Sequence, residues 1–135
     1  MYAKLKLFLI VVSVTEASVG LSLLFLPSVP FALLLGFENA AVEAIFVSRI
    51  AGAALFSIGV VSWMARTDES NRSLFGLLIG ILIYNAAVTC LLVYAGVVLK
   101  MIGNLLWPTV VFHAALVVWD SLLLRGMPNE PRSGN

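Results

Sequence analysis

Charge is what this chain has least of: Asp, Glu, Lys and Arg make up 11% of its 135 residues, against about a quarter in a soluble domain. With 61% hydrophobic residues and a mean hydropathy of +1.07, it has too few polar side chains to clothe a fold of this size in water. A soluble monomer is excluded. Eight basic residues against seven acidic ones leave a formal charge of +1, so the clustered basic surface of a nucleic-acid binder is excluded too. The one cysteine, Cys90, can build neither a disulfide framework nor a thiolate metal site within a single chain, and it reads as a small buried hydrophobe. The one histidine, His113, would leave a haem or metal without its usual ligand set. Neither metal nor cofactor is expected. HExxH, GxSxG, P-loop, CxxC and dinucleotide fingerprints are all missing, which removes support for the chemistries that depend on them. A set of His113, Asp120 and Glu16 could exchange protons, but no nucleophile or oxyanion donor accompanies it. The chain is read as a non-enzyme with no catalytic residue.

What is abundant is long apolar runs. A spanning helix needs about 20 largely apolar residues to cross roughly 30 Å of hydrocarbon, and Leu5 to Leu26, Ala40 to Ala65, Leu74 to Val98 and Leu105 to Leu124 all qualify. The fold class expected is all-α, an integral membrane four-helix bundle over residues 1–126. A flexible tail follows at 127–135, where Pro128, Pro131 and Gly134 lie. Pro27 and Pro30 punctuate the first connection, and the polar run from Arg66 to Arg72 the second. Lys4 and Lys6 ahead of the first run raise the possibility of a cleaved signal peptide, but the apolar run resumes after Ala17 and reaches full spanning length, so a retained helix is expected. Asn39 is placed to cap the second helix. The connection from Ser28 to Asn39 is itself apolar, with Phe31, Leu33, Leu34, Leu35 and Phe37, and is expected to lie in the membrane interface.

Short cytoplasmic loops collect Lys and Arg. Lys4, Lys6, Arg66, Arg72, Arg125 and Arg132 fall on one side of an even-helix topology and Lys100 on the other, which puts both termini in the cytoplasm. Trp63, Trp107 and Trp119 sit toward helix ends, as interfacial anchors do. The expected surroundings are the lipid bilayer and a second copy or another membrane protein. No internal repeat is present, so an inverted-repeat transporter core is unsupported within one chain.

Polar groups at mid-span cost on the order of 2.5 to 3.5 kcal/mol each when ionisable, so every one is a functional hypothesis. Glu16, Asn85 and His113 fall near mid-bilayer at the helical rise, and Arg49 roughly 8 Å above it. Ser13, Glu16 and Gly20 share one helical face; Ser48, Arg49, Gly52, Phe56 and Gly59 form a stripe on the next helix. Asn85 stacks with Thr89, and Thr109, His113 and Asp120 follow one stripe of the last helix. These faces are expected to converge on a polar cluster of Glu16, Arg49, Asn85, His113 and Asp120. Each member also has a plainer reading. Glu16 and Arg49 could be a buried ion pair that only fixes helix pairing, His113 a structural hydrogen-bonding partner of Asn85 or Glu16, Asn85 interhelical glue, and Asp120 solvated or paired with Arg125. Gly76 and Gly80 form a GxxxG pair, a weak signal for helix contact.

The run Arg49-Ile50-Ala51-Gly52, continuing through Gly59 and Trp63 to Arg66 and then to a third helix with Asn85, resembles the small four-helix bacterial membrane proteins grouped as DoxX-like. The stretch Gly20 to Pro27, with its apolar continuation to Gly36, is similar to theirs as well. The resemblance implies a bacterial inner-membrane location and little about activity. A thinner likeness is to small multidrug transporters, which carry a membrane-embedded glutamate in the first of four helices, here Glu16. The departure is Arg49, which could neutralise that glutamate. The function expected is therefore a small non-enzymatic inner-membrane protein, an accessory or binding subunit, with a small proton-coupled transporter using Glu16 as the alternative.

Overall fold

The computed structural model describes residues 2–37, 39–68 and 71–127. Apart from Met127, the expected tail at 127–135 lies outside the described residues. The architecture is all-α, with no strand among the described residues. Its helices are α1 (Tyr2–Phe25), a short α2 (Ser28–Pro30) that runs into a π turn (Phe31–Leu35), α3 (Val42–Ala65), α4 (Asn71–Val97) and α5 (Leu106–Gly126). Four of them, α1, α3, α4 and α5, are long and apolar enough to cross a membrane.

Helix limits and apolar limits do not coincide. α1 starts at Tyr2 and α4 at Asn71, each ahead of its apolar run, because backbone hydrogen bonding continues past the point where hydrophobicity stops. Pro27 ends α1, since it has no N–H with which to continue the ladder beyond the Leu26 N–H to Ser22 O bond. The expected cap at Asn39 is not used: α3 begins two residues further on, from an extended Ala41 (φ −60°, ψ 150°) without any side-chain cap. Arg66 closes the other end of α3, lying 3.6 Å over the Trp63 ring and donating to the Trp63 carbonyl.

The long helices form two pairs, α3 on α1 and α5 on α4. The first pair meets backbone to backbone. A Cβ on Gly20 would come 2.6 Å from Phe56 N, one on Gly52 would come 2.7 Å from Gly20 O, and one on Gly59 would come 2.8 Å from Ala17 N. These glycines are what allow the approach. By contrast, Gly76 and Gly80 have nothing within 4 Å of an added Cβ, so the GxxxG pair faces outward and joins no helix of this chain.

α1 also faces the second pair. Phe8, Leu9 and Val12 of α1, Leu74, Leu78 and Ile81 of α4, and Leu116 and Leu123 of α5 make one buried cluster toward the end that holds both termini. Phe8 and Trp119 meet edge to face there at 5.4 Å. At the opposite end a smaller cluster of Ala95, Leu106 and Val110 closes α4 on α5. The apolar connection after α1 forms the short helical turns Ser28–Pro30 and Phe31–Leu35. It folds back as a cap against the start of α5: Leu105 N donates to Leu33 O at 2.8 Å, and the Gly103 backbone lies directly against Leu34. Gly36, at φ 81°, returns the chain, its N–H bonding the carbonyls of Phe31 and Ala32.

Candidate functional site

Beneath that cap, between α1, α4 and α5, lies a cavity of about 390 Å³. Its walls are mainly apolar, including Leu23, Leu34, Val88 and Leu92, and its polar groups are few: Glu16, Tyr84, His113, Thr109 and serine or threonine hydroxyls of α1. Apolar walls with a handful of convergent polar atoms are the ordinary make-up of a small-molecule site.

Glu16 is 1% exposed and reaches the cavity from the inward face of α1. Its Oε2 accepts from Tyr84 Oη at 3.1 Å, while Oε1 is buried with no partner among the described residues. Next to it, the orientation of His113 is set from behind by Asn85. Asn85 Nδ2 donates to Ile81 O at 2.9 Å, which leaves Oδ1 as the atom 2.6 Å from His113 Nδ1. An amide oxygen only accepts, so Nδ1 carries the hydrogen and in the neutral ring Nε2 is an acceptor. The Tyr84 ring stands edge-on to the imidazole at 6.2 Å. Glu16 and His113, each with a group that can accept a hydrogen bond, thus line one cavity, and the complement of that pair is a donor.

Of the residues singled out in the sequence, the structure gathers Glu16, Asn85 and His113. Arg49 is not with them. It is exposed, and no ion pair joins it to Glu16 among the described residues. The reason is helical geometry. Ser48 and Arg49 are about 100° apart around the helix, so only one of them can lie in line with Gly52 and Gly59, and the close approach of α1 selects Ser48, which is buried. Asp120 is neither solvated nor paired with Arg125: it is 0% exposed, both its oxygens lack a partner among the described residues, and Arg125 is exposed. Cys90 faces outward and is exposed, not buried.

Tyr84 was missed by sequence reasoning. Tyrosines in apolar helices ordinarily mark interfaces near helix ends, whereas Tyr84 sits in the middle of α4 (Asn71–Val97), and that position is the signal that could have found it. Compared with protein-family models, with curated proteins and with solved structures, the chain matches none.

Proposed function

We propose that this chain is an integral membrane four-helix bundle of the bacterial inner membrane, with both termini in the cytoplasm. In this reading it is a non-enzymatic binding or accessory subunit that holds a small, largely apolar molecule by a hydrogen-bond-donating head group. One observation carries the reading: Glu16, which lines a cavity of about 390 Å³, is buried with one carboxyl oxygen that has no partner among the described residues. A buried polar atom left unsatisfied costs about 1–3 kcal/mol, and a ligand N–H or O–H against Oε1 recovers it. The resemblance to DoxX-like proteins fits the placement. The outward Arg49 supports assembly with a second copy or another membrane protein, because a guanidinium at that depth needs something other than hydrocarbon to face.

The test uses three probes of one decyl chain, ending in an amine, a hydroxyl or a methyl group, added to the protein in lipid nanodiscs with thermal unfolding as the readout. The amine and the alcohol are expected to raise the midpoint and decane to leave it unchanged. Glu16→Gln should abolish the difference, and Leu34→Trp, which fills the cavity, should abolish the binding. Equal stabilisation by all three would reject a head-group site.

A second reading, a small proton-coupled transporter, is favoured by the position of Arg49. The sequence argument against it was that Arg49 would hold Glu16 in one charge state, and the two side chains are not paired. Ligand and proton would then compete for the same carboxylate.

A further inference from the structure

The cavity beneath the cap is sealed below and roofed above, and it is open at the side. At the termini end, Phe8 and Val12 of α1 and Leu78 and Ile81 of α4 belong to one apolar cluster and are all buried. The same two stripes continue toward the cap as Thr15, Val19 and Ser22 on α1 and Val88 and Leu92 on α4. All five line the cavity, and none is buried. The helix pairing accounts for the change. α1 packs closely on α3 and α4 on α5, so side chains have to fill the seam between α1 and α4. Leu and Phe fill it at the termini end, and the smaller Thr15 and Ser22 leave it open under the cap.

The roof is held shut. Pro30 is buried, Leu105 N donates to Leu33 O, and the Gly103 backbone lies against Leu34. A solute coming from water along the helix axis meets this apolar roof, whereas a molecule already in the bilayer meets the seam.

The hydroxyls of the seam stand apart from the others of these helices. Ser48, Ser57, Thr89 and Ser121 turn their hydroxyls back to a carbonyl of their own helix at 2.7–2.9 Å, which is how Ser and Thr commonly satisfy themselves inside a helix. Thr15, Ser18 and Ser22 share one face of α1 at spacings of three and four, and among the described residues their hydroxyls make no hydrogen bond. A hydroxyl left without a partner in apolar surroundings is costly. These three form a track that leads inward: Ser18 is exposed, Thr15 and Ser22 are half-buried, and Glu16, next to Thr15, is buried with one oxygen unpartnered. Hydroxyl and carboxylate oxygens both accept from an alcohol or an amine. At about 390 Å³ the cavity is near the low end of the range for small-molecule sites, about 300–1,000 Å³, which suits one hydrocarbon chain and not the pair of a phospholipid.

We propose that the cavity is loaded sideways from the cap-side leaflet, and that its occupant is a single-chain lipid alcohol or amine. The head group passes the Thr15, Ser18 and Ser22 hydroxyls to reach Glu16, and the tail runs out through the α1–α4 seam into the bilayer. The inference rests on the reading of the cavity as a head-group site and adds the source of the ligand. It has a consequence for chain length. A closed pocket rejects a chain longer than itself, whereas a pocket open to lipid accepts it, because the surplus methylenes stay in hydrocarbon.

The experiment compares two photoactivatable alcohols, one decyl and one octadecyl, each with a diazirine close to the hydroxyl, on the whole chain in lipid nanodiscs. Labelled peptides are read by mass spectrometry. Both probes are expected to label α1 between Thr15 and Ser22 and α4 around Val88 to a similar extent, and Glu16→Gln should weaken both. Ser18→Trp, which fills the mouth of the seam, should lower octadecyl labelling at these positions about tenfold or more. Labelling of these positions by the decyl probe alone would overturn lateral loading and leave the head-group reading standing. Labelling of them by neither probe removes that reading, and the inference with it. Octadecyl labelling spread over the outer faces of all four long helices, and unchanged by Ser18→Trp, also overturns lateral loading, and the decyl probe then decides the head-group reading by itself. Should Ser18→Trp not fold, the chain-length comparison still decides, because it uses the unsubstituted protein.

Discussion

Tyr84 Oη donates to Glu16 Oε2 across 3.1 Å, and in doing so it ties the α1–α3 pair to the α4–α5 pair. In apolar surroundings the gain from hiding hydrophobic side chains is small, and interhelical hydrogen bonds and close packing hold helices together. Tyr84→Phe is therefore expected to lower stability in detergent by about 1 kcal/mol, read from denaturant titration of the helical circular dichroism signal. An unchanged midpoint would show that the hydroxyl makes no such bond.

Arg49 and Glu16 are separated in the structure, so their substitutions should act independently. The losses from Glu16→Gln and Arg49→Met should add to within about 0.5 kcal/mol in the double mutant. A double mutant restored toward wild type, the behaviour of a buried ion pair that has lost both charges, would overturn the placement of Arg49.

The glycines divide into two groups with opposite expectations. Gly20→Val or Gly52→Val puts a side chain into the backbone of the facing helix and should cost about 1–3 kcal/mol or more, as overpacking does. Gly76→Val and Gly80→Val meet open space and should leave the stability of the single chain unchanged. If the second pair is the damaging one, the wrong glycines have been placed at a contact.

Orientation is tested with reporter fusions. Fusions after Asn135 are expected to report the cytoplasm, and insertions beside Met101 the outside, following the bias of Lys and Arg toward the termini end. The reverse pattern would move the cavity to the other leaflet.

The four helices long and apolar enough to cross a membrane were legible in the sequence because apolar length is a strong signal. Which side of each span faces inward was much less so. These helices are apolar all round, so hydrophobic contrast cannot pick out a buried face; only small residues and polar residues at depth can. That sufficed for Gly20, Gly52 and Gly59, and for Glu16, Asn85 and His113. It misplaced Arg49, one residue along from the correct stripe, and Cys90, whose side of α4 no neighbouring polar group marks. Asp120, expected in the polar cluster or else solvated or paired with Arg125, is buried away from the cavity, beside Leu116 and Leu123 of its own helix and the Phe8–Trp119 contact. The fold-back of the connection after α1 depends on a hydrogen bond between Leu33 and Leu105, a partnership too distant in the chain for local pattern to reveal.

The pairing of α1 with α3 and of α4 with α5 also has a bearing on biogenesis. Each pair joins spans that are neighbours in order of synthesis, so each can close as soon as its second member has left the ribosome, with little loop entropy to overcome. Contacts between the pairs, such as Glu16 with Tyr84 and Phe8 with Trp119, must wait until the later helices exist. The glycine seam can thus be tested in a nascent chain carrying α1 and α3 alone, whereas the polar cavity comes into being only at the end of translation.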